Sequence, residues 1–72
     1  MEEYSRILIE QYCLTHTTTQ KSSFLWNLLK LSYSLERELE DWEAEKLEQY
    51  ISREKNMELK EALEDLADFL FF

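Results

Sequence analysis

The fold is governed by residues 24–50, which read FLWNLLKLSYSLERELEDWEAEKLEQY. Large apolar side chains recur there at steps of three and four residues, the spacing of one face of an α-helix. The members of this stripe are Phe24, Leu28, Leu31, Leu35, Leu39 and Trp42, after which the stripe passes through Lys46 to Tyr50. We therefore expect one long helix over residues 23–53, about 45 Å long at about 1.5 Å per residue. A competing interpretation places a break at Ser32–Ser34, where a serine would cap a second helix from Leu35.

The absence of helix-breaking residues extends over the whole chain, since its 72 residues include no glycine and no proline. Glycine supplies the positive φ angles of tight turns, and proline ends helices sharply. Their absence leaves α-helix as the regular structure that this chain builds most easily. The composition predicts a single all-α domain.

Two shorter helices flank the long one. Residues 3–15 place apolar side chains on more than one side of a helix, and the threonine-rich segment that follows predicts a linker over 16–22. Within it Thr17 or Thr19 is a possible cap, but Ser22 or Ser23 is favoured as the N-cap of the long helix. The third helix is expected over about 57–71, after a polar break at 52–56, with Asn56 as its N-cap.

Short connections make consecutive helices antiparallel neighbours, so the sequence predicts a three-helix antiparallel arrangement around the long central helix. One short helix cannot cover the wide apolar surface of residues 24–35, and a core of this size contributes only about 3–5 kcal/mol. We therefore expect a homodimer completed by a second copy. Its interface is predicted at Leu25, Trp26, Leu29 and Tyr33.

Net charge is −8, and all of the imbalance lies in the second half of the chain. Residues 36–48 hold seven acids against two bases, and the apolar stripe narrows there to a seam of the coiled-coil kind. An acidic surface disfavours direct binding to nucleic acid or to anionic lipid and favours a partner with a basic surface. The partner-binding residues are predicted to be Glu36, Glu40, Trp42 and Glu43. The alternative is a solvated face that only keeps the protein soluble.

The sequence offers little support for a catalytic or metal-binding site. Cys13 and His16 are three residues apart, but a nucleophile or a metal site needs further groups, so we expect structural roles for both. No cofactor and no metal are predicted, and we expect a protein that is not an enzyme. No secretory signal is expected, and Asn27 and Lys30 interrupt the richest apolar run, so we expect a cytoplasmic protein outside the membrane.

The C-terminal residues 69–72, Phe-Leu-Phe-Phe, are expected to pack in the core, with a docking peptide as the alternative. Taken together, these features predict an acidic, non-enzymatic interaction module that binds and regulates a larger protein. The expected regulation includes inhibition of that protein. The alternatives are a nucleic-acid mimic that blocks a DNA- or RNA-binding protein, and a structural subunit of a larger assembly.

Overall fold

A computed structural model describes residues 1–34 and 36–71. The described residues form four α-helices and no strand, which confirms the all-α class. The helices are α1 (Glu3–Thr15), α2 (Gln20–Ser34), α3 (Asp41–Arg53) and α4 (Met57–Phe71).

Side-chain caps fix the starts of α2 and α4. Asn56 directly precedes α4, and its Oδ1 accepts hydrogen bonds from the backbone N–H groups of Glu58 (3.0 Å) and Leu59 (3.3 Å). Thr19 directly precedes α2, and its Oγ1 accepts from the N–H of Ser22 (3.1 Å). The favoured cap for α2, Ser22 or Ser23, is therefore wrong, since both residues lie inside the helix. The non-helical segment before α2 shortens to residues 16–19.

The long helix expected over residues 23–53 is a second correction, because the structure has two helices there. α2 ends at Ser34, residues 36–40 are not helical, and α3 begins at Asp41. The chain folds back so that the ring of Phe24 lies 5.6 Å from the ring of Tyr50. A compact molecule with Cα extents of 27 × 22 × 22 Å buries more apolar surface than a rod could. Leu35, at which the alternative interpretation starts a helix, lies outside the described residues.

Helix α1 runs antiparallel to both α2 and α4. Ser22 near the start of α2 donates from its hydroxyl to the carbonyl of Cys13 near the end of α1 (3.0 Å). At the other end of α1, the N–H of Glu2 donates to Asp65 of the α4 segment (3.0 Å). The core therefore draws on all four helices. Its fully buried side chains are Ile9, Leu25, Leu28, Leu29, Leu47, Leu63 and Leu66.

This packing changes the expected dimer interface. Leu25 and Leu29 are 0% and 2% exposed, so the chain itself already covers two of the four residues. The predicted dimer depended on a single short helix covering residues 24–35, whereas α1 and α4 both contact α2. Trp26 is partly buried, and only Tyr33 is widely exposed. A seam through Leu25 and Leu29 is thus not open to a second copy, while dimerisation itself stays a prediction.

Over residues 1–34 and 36–71, no helix combines the length and the apolar character that crossing a bilayer requires.

Candidate protein-binding site

The predicted partner-binding residues separate into three environments, and Glu43 occupies the most unexpected one. Its side chain is buried at the start of α3. Arg37 donates to both carboxylate oxygens, with distances of 2.6 and 2.9 Å, and the backbone N–H of Glu40 donates to Oε1 at 3.1 Å. Glu43 is therefore a structural residue that ties the 36–40 segment to α3, and its prediction as a partner-binding residue does not fit its burial.

The environment of Glu43 favours its charged form. The hydrogen bonds from Arg37 lower the pKa of the Glu43 carboxyl below its usual range, while burial opposes this shift. The N–H of Glu40 adds to the lowering. A charged carboxylate at this position also interacts favourably with the N-terminal end of α3.

Trp42 and Glu40 form a second environment, on the side of α3 that faces α2. The indole Nε1 of Trp42 donates to the carboxylate of Glu40 at 2.5 Å, and its ring lies 6.1 Å from that of Phe24. Trp42 nevertheless remains 55% exposed. It is an accessible aromatic surface with one carboxylate beside it.

Glu36 belongs to the third environment, an open cleft of about 1010 Å³ between the 36–40 segment, the start of α3 and the end of α4. We call it the acidic-rimmed cleft. Its apolar lining includes Leu31, Leu39, Ala44, Phe69, Leu70 and Phe71. Its exposed acidic rim consists of Glu36, Glu38 and Asp41. A volume of this size accommodates several side chains of a bound segment.

Ion pairing does not offset the acidic rim in the part of the cleft that the structure describes. Arg37 also lines it, but its guanidinium is paired with the buried carboxylate of Glu43. Among the described residues, no salt bridge joins Glu36, Glu38 or Asp41 to a basic side chain. Within the described part of the chain, three carboxylates without a salt-bridge partner thus line the edge of a largely apolar cleft, an arrangement that favours a negative potential at its mouth.

The C-terminal aromatic residues form one wall of this cleft. Phe69 and Phe71 are 38% and 45% exposed, whereas Leu70 packs against the core. Neither core packing nor a free docking peptide describes this arrangement, because the end of α4 is anchored and still presents two rings to solvent. Phe72 lies outside the described residues.

A cluster around Lys21 was not predicted from the sequence. Its Nζ donates to Glu54 at 2.6 Å and lies 5.0 and 5.7 Å from the ring centroids of Tyr12 and Tyr50. Burial raises the pKa of Glu54, but the Lys21 ammonium and the N–H of Asn56 outweigh it, so the net shift is downward. The cluster joins α1, α2 and α3, and we assign it a structural role. No local pattern signals it, since Lys21 and Glu54 are 33 residues apart.

Cys13 and His16 do not pair with each other. The Cys13 thiol is buried and donates to the carbonyl of Ser22 at 3.5 Å, and burial raises its pKa. His16 ends α1 and stacks on Tyr12 with ring centroids 4.3 Å apart. Within the described part of the chain, His, Cys, Asp and Glu side chains form no group of three that could hold a metal ion.

Comparisons of this chain with protein-family models, with curated proteins and with solved structures found no match.

Proposed function

We propose that this protein is a small, acidic, non-enzymatic module that binds a larger protein and regulates it through the acidic-rimmed cleft. One observation carries the proposal, namely the combination of an apolar cavity and an unneutralised acidic rim. An exposed apolar patch with polar edges is typical of a protein-binding surface. The complementary ligand is a segment with one or two large apolar side chains and neighbouring lysine or arginine residues.

The two parts of the cleft contribute differently to binding. The walls formed by Phe69 and Phe71 supply apolar contact area, and buried aromatic contacts dominate the affinity of many interfaces. The carboxylates of Glu36 and Glu38 remain accessible at the edge, where charge mainly increases the association rate and selects the partner. A basic amphipathic helix combines both requirements in one segment.

The test compares two charge-matched variants. Glu36→Lys with Glu38→Lys reverses the rim, whereas Glu45→Lys with Glu48→Lys reverses two exposed acids of α3 that do not line the cleft. The probe is a fluorescent basic amphipathic peptide, with a glutamate-for-lysine counterpart as the negative control. We expect the rim variant to weaken binding at least ~10-fold and the control to weaken it less than ~3-fold. Equal loss in both variants would show only diffuse electrostatic attraction.

A third variant separates the apolar contribution from the charge. Phe71→Ala shortens one wall of the cleft without changing any charge, so it should accelerate dissociation and leave the salt dependence of association unchanged. Stopped-flow fluorescence at two salt concentrations measures both rates. If Phe71→Ala leaves dissociation unchanged, the apolar lining does not take part and the cleft is not the binding site.

A further inference from the structure

Residues 36–40, which directly precede α3, have a sequence that favours helix although their backbone is not helical. We call residues 36–40 the hinge. They are Glu36, Arg37, Glu38, Leu39 and Glu40, and all three residue types are among the strongest helix formers. Leu31, Leu39 and Trp42 also keep helical spacing across the hinge. Local preference and tertiary structure disagree here, a conflict that natural sequences usually avoid.

Local contacts at the start of α3 and one contact to α2 hold the hinge open. Arg37 and the N–H of Glu40 reach the buried carboxylate of Glu43, and this arrangement fixes the extended backbone of Glu40 (φ −81°, ψ 154°) before the first turn of α3. Farther along α3, the ammonium of Lys46 lies 5.2 Å from the ring centroid of Phe24. These interactions offset the helical preference of the hinge.

The contacts between the α1–α2 half and the α3–α4 half can also form between two chains. In a continuous helix, Phe24 and Tyr50 would be separated by 26 residues, about 39 Å at about 1.5 Å per residue. Their rings lie 5.6 Å apart in the folded chain, so in an extended chain this contact must come from a second copy. The hydrogen bond of Tyr4 in α1 to Glu58 in α4 (2.9 Å) likewise crosses the hinge.

We propose that the protein forms a domain-swapped dimer in which the hinge becomes helical. Two chains exchange their α3–α4 halves, and α2 and α3 join into one long helix in each chain. The contacts between the two halves are then rebuilt between chains, and the hinge residues gain helical hydrogen bonds in place of the Arg37–Glu43 pair, which a continuous helix separates. Exchange of identical elements is a low-cost route to a dimer because it needs no new interface.

The dimer changes the acidic-rimmed cleft, because Glu36, Glu38 and Leu39 belong to both the hinge and the cleft lining. A ligand in the cleft should therefore favour the monomer. The exchange itself does not depend on the proposed function, since it follows from the hinge sequence and from the contacts between the two halves.

Asp41→Pro is the decisive variant. Asp41 is the first residue of α3, where proline is well tolerated, and the extended Glu40 suits a residue before proline. In a continuous helix the same proline would occupy an interior position, where it removes a hydrogen bond and clashes with the preceding turn. We expect the dimer association constant to fall at least ~100-fold. Asp41→Ala controls for the lost carboxylate, and Met57→Pro places a proline at the first residue of α4.

The measurement is size-exclusion chromatography with light scattering after incubation at micromolar to millimolar concentration. We expect a dimer for the wild type, Asp41→Ala and Met57→Pro, and a monomer for Asp41→Pro. Glu43→Ala should raise the dimer fraction, and circular dichroism verifies that this variant folds. If it does not fold, the comparison of the wild type with Asp41→Pro decides whether the proposal stands. A wild type that stays monomeric throughout, or an Asp41→Pro protein that dimerises equally well, overturns the proposal.

A distance measurement distinguishes the exchange from ordinary dimerisation. Spin labels at Ser23→Cys and Gln49→Cys, in a Cys13→Ala background, report the spacing of α2 and α3 within one chain when labelled chains are diluted with unlabelled ones. A swapped dimer gives about 39 Å for these 26 residues. A dimer that shows only the short monomer distance has not exchanged its halves, and this result would also reject the proposal.

Discussion

The two ends of α3 show how different forces interrupt a helical sequence. Before α4, the break depends on a local signal, since Asn56 caps the next helix through two backbone N–H groups. Before α3, the hinge consists of strong helix formers, and its break combines a capping box between Glu40 and Glu43 with the burial of the Glu43 carboxylate against Arg37. The first junction is readable from a preferred N-cap residue, whereas the second has glutamate at its N-cap and relies on the burial of Glu43 in the folded chain.

The largest effect is expected at Leu47, the buried residue of α3 between the two junctions. Leu47 is 0% exposed, so Leu47→Ala should lower the free energy of unfolding by about 3 kcal/mol through lost apolar burial and a cavity. Urea denaturation measures this loss, with Glu48→Ala as an exposed neighbouring control within about 0.5 kcal/mol. A small loss at Leu47 would mean that α3 does not fold back onto the core.

Glu43→Ala tests the junction that combines a capping box with a buried carboxylate. Removing the buried carboxylate eliminates charge-assisted hydrogen bonds, and we expect the free energy of unfolding to fall by about 2 kcal/mol. The matched control is Glu45→Ala, an exposed acid in the same helix, which should change stability by less than about 0.5 kcal/mol. Equal effects of the two variants would contradict the special role of the buried pair.

Asn56→Ala tests the junction that depends on a local cap. Loss of an N-cap side chain costs about 1 kcal/mol, and Asn56→Asp should retain most of the stability because aspartate caps equally well. Asn27→Ala is the control, since Asn27 is exposed within α2, where alanine is the better helix former. Thermal unfolding by circular dichroism compares the three. If Asn56→Asp is as unstable as Asn56→Ala, capping does not explain this junction.

Acidification should have the smallest effect per residue, because protonation leaves each side chain in place. Glu43 and Glu54, one near each junction, both have a lowered pKa in the folded protein. Their contribution to stability is complete above the unfolded pKa of about 4.3. It is lost as the pH falls through the lower folded pKa. Urea denaturation between pH 7 and 3 should show this decline, and Glu43→Ala should make it shallower. An unchanged slope in that variant would assign the acid sensitivity to other carboxylates.

The predicted site residues also differ in how far the sequence determines their environment. Trp42 and Glu36 are both exposed, which agrees with their selection as surface residues of the acidic region 36–48. The prediction of Glu43 as a surface residue does not fit its burial. Glu43 lies four residues after Leu39 and four before Leu47, and this spacing on the buried face was the available signal. The cleft itself joins α2, the hinge, α3 and α4, and no single segment predicts it.

The sequence by itself determined that the chain is helical, that threonines interrupt it after residue 15, and that a new helix starts after Asn56. These features depend on backbone propensity and on hydrogen bonds between residues close in the chain. Only the tertiary structure decided that the Glu43 carboxylate at the start of α3 is buried, that Leu25 and Leu29 are covered by the chain itself, and that Lys21 meets Glu54. Burial of apolar surface has no directional preference and joins residues far apart in sequence, so no local pattern reports which residues it brings together.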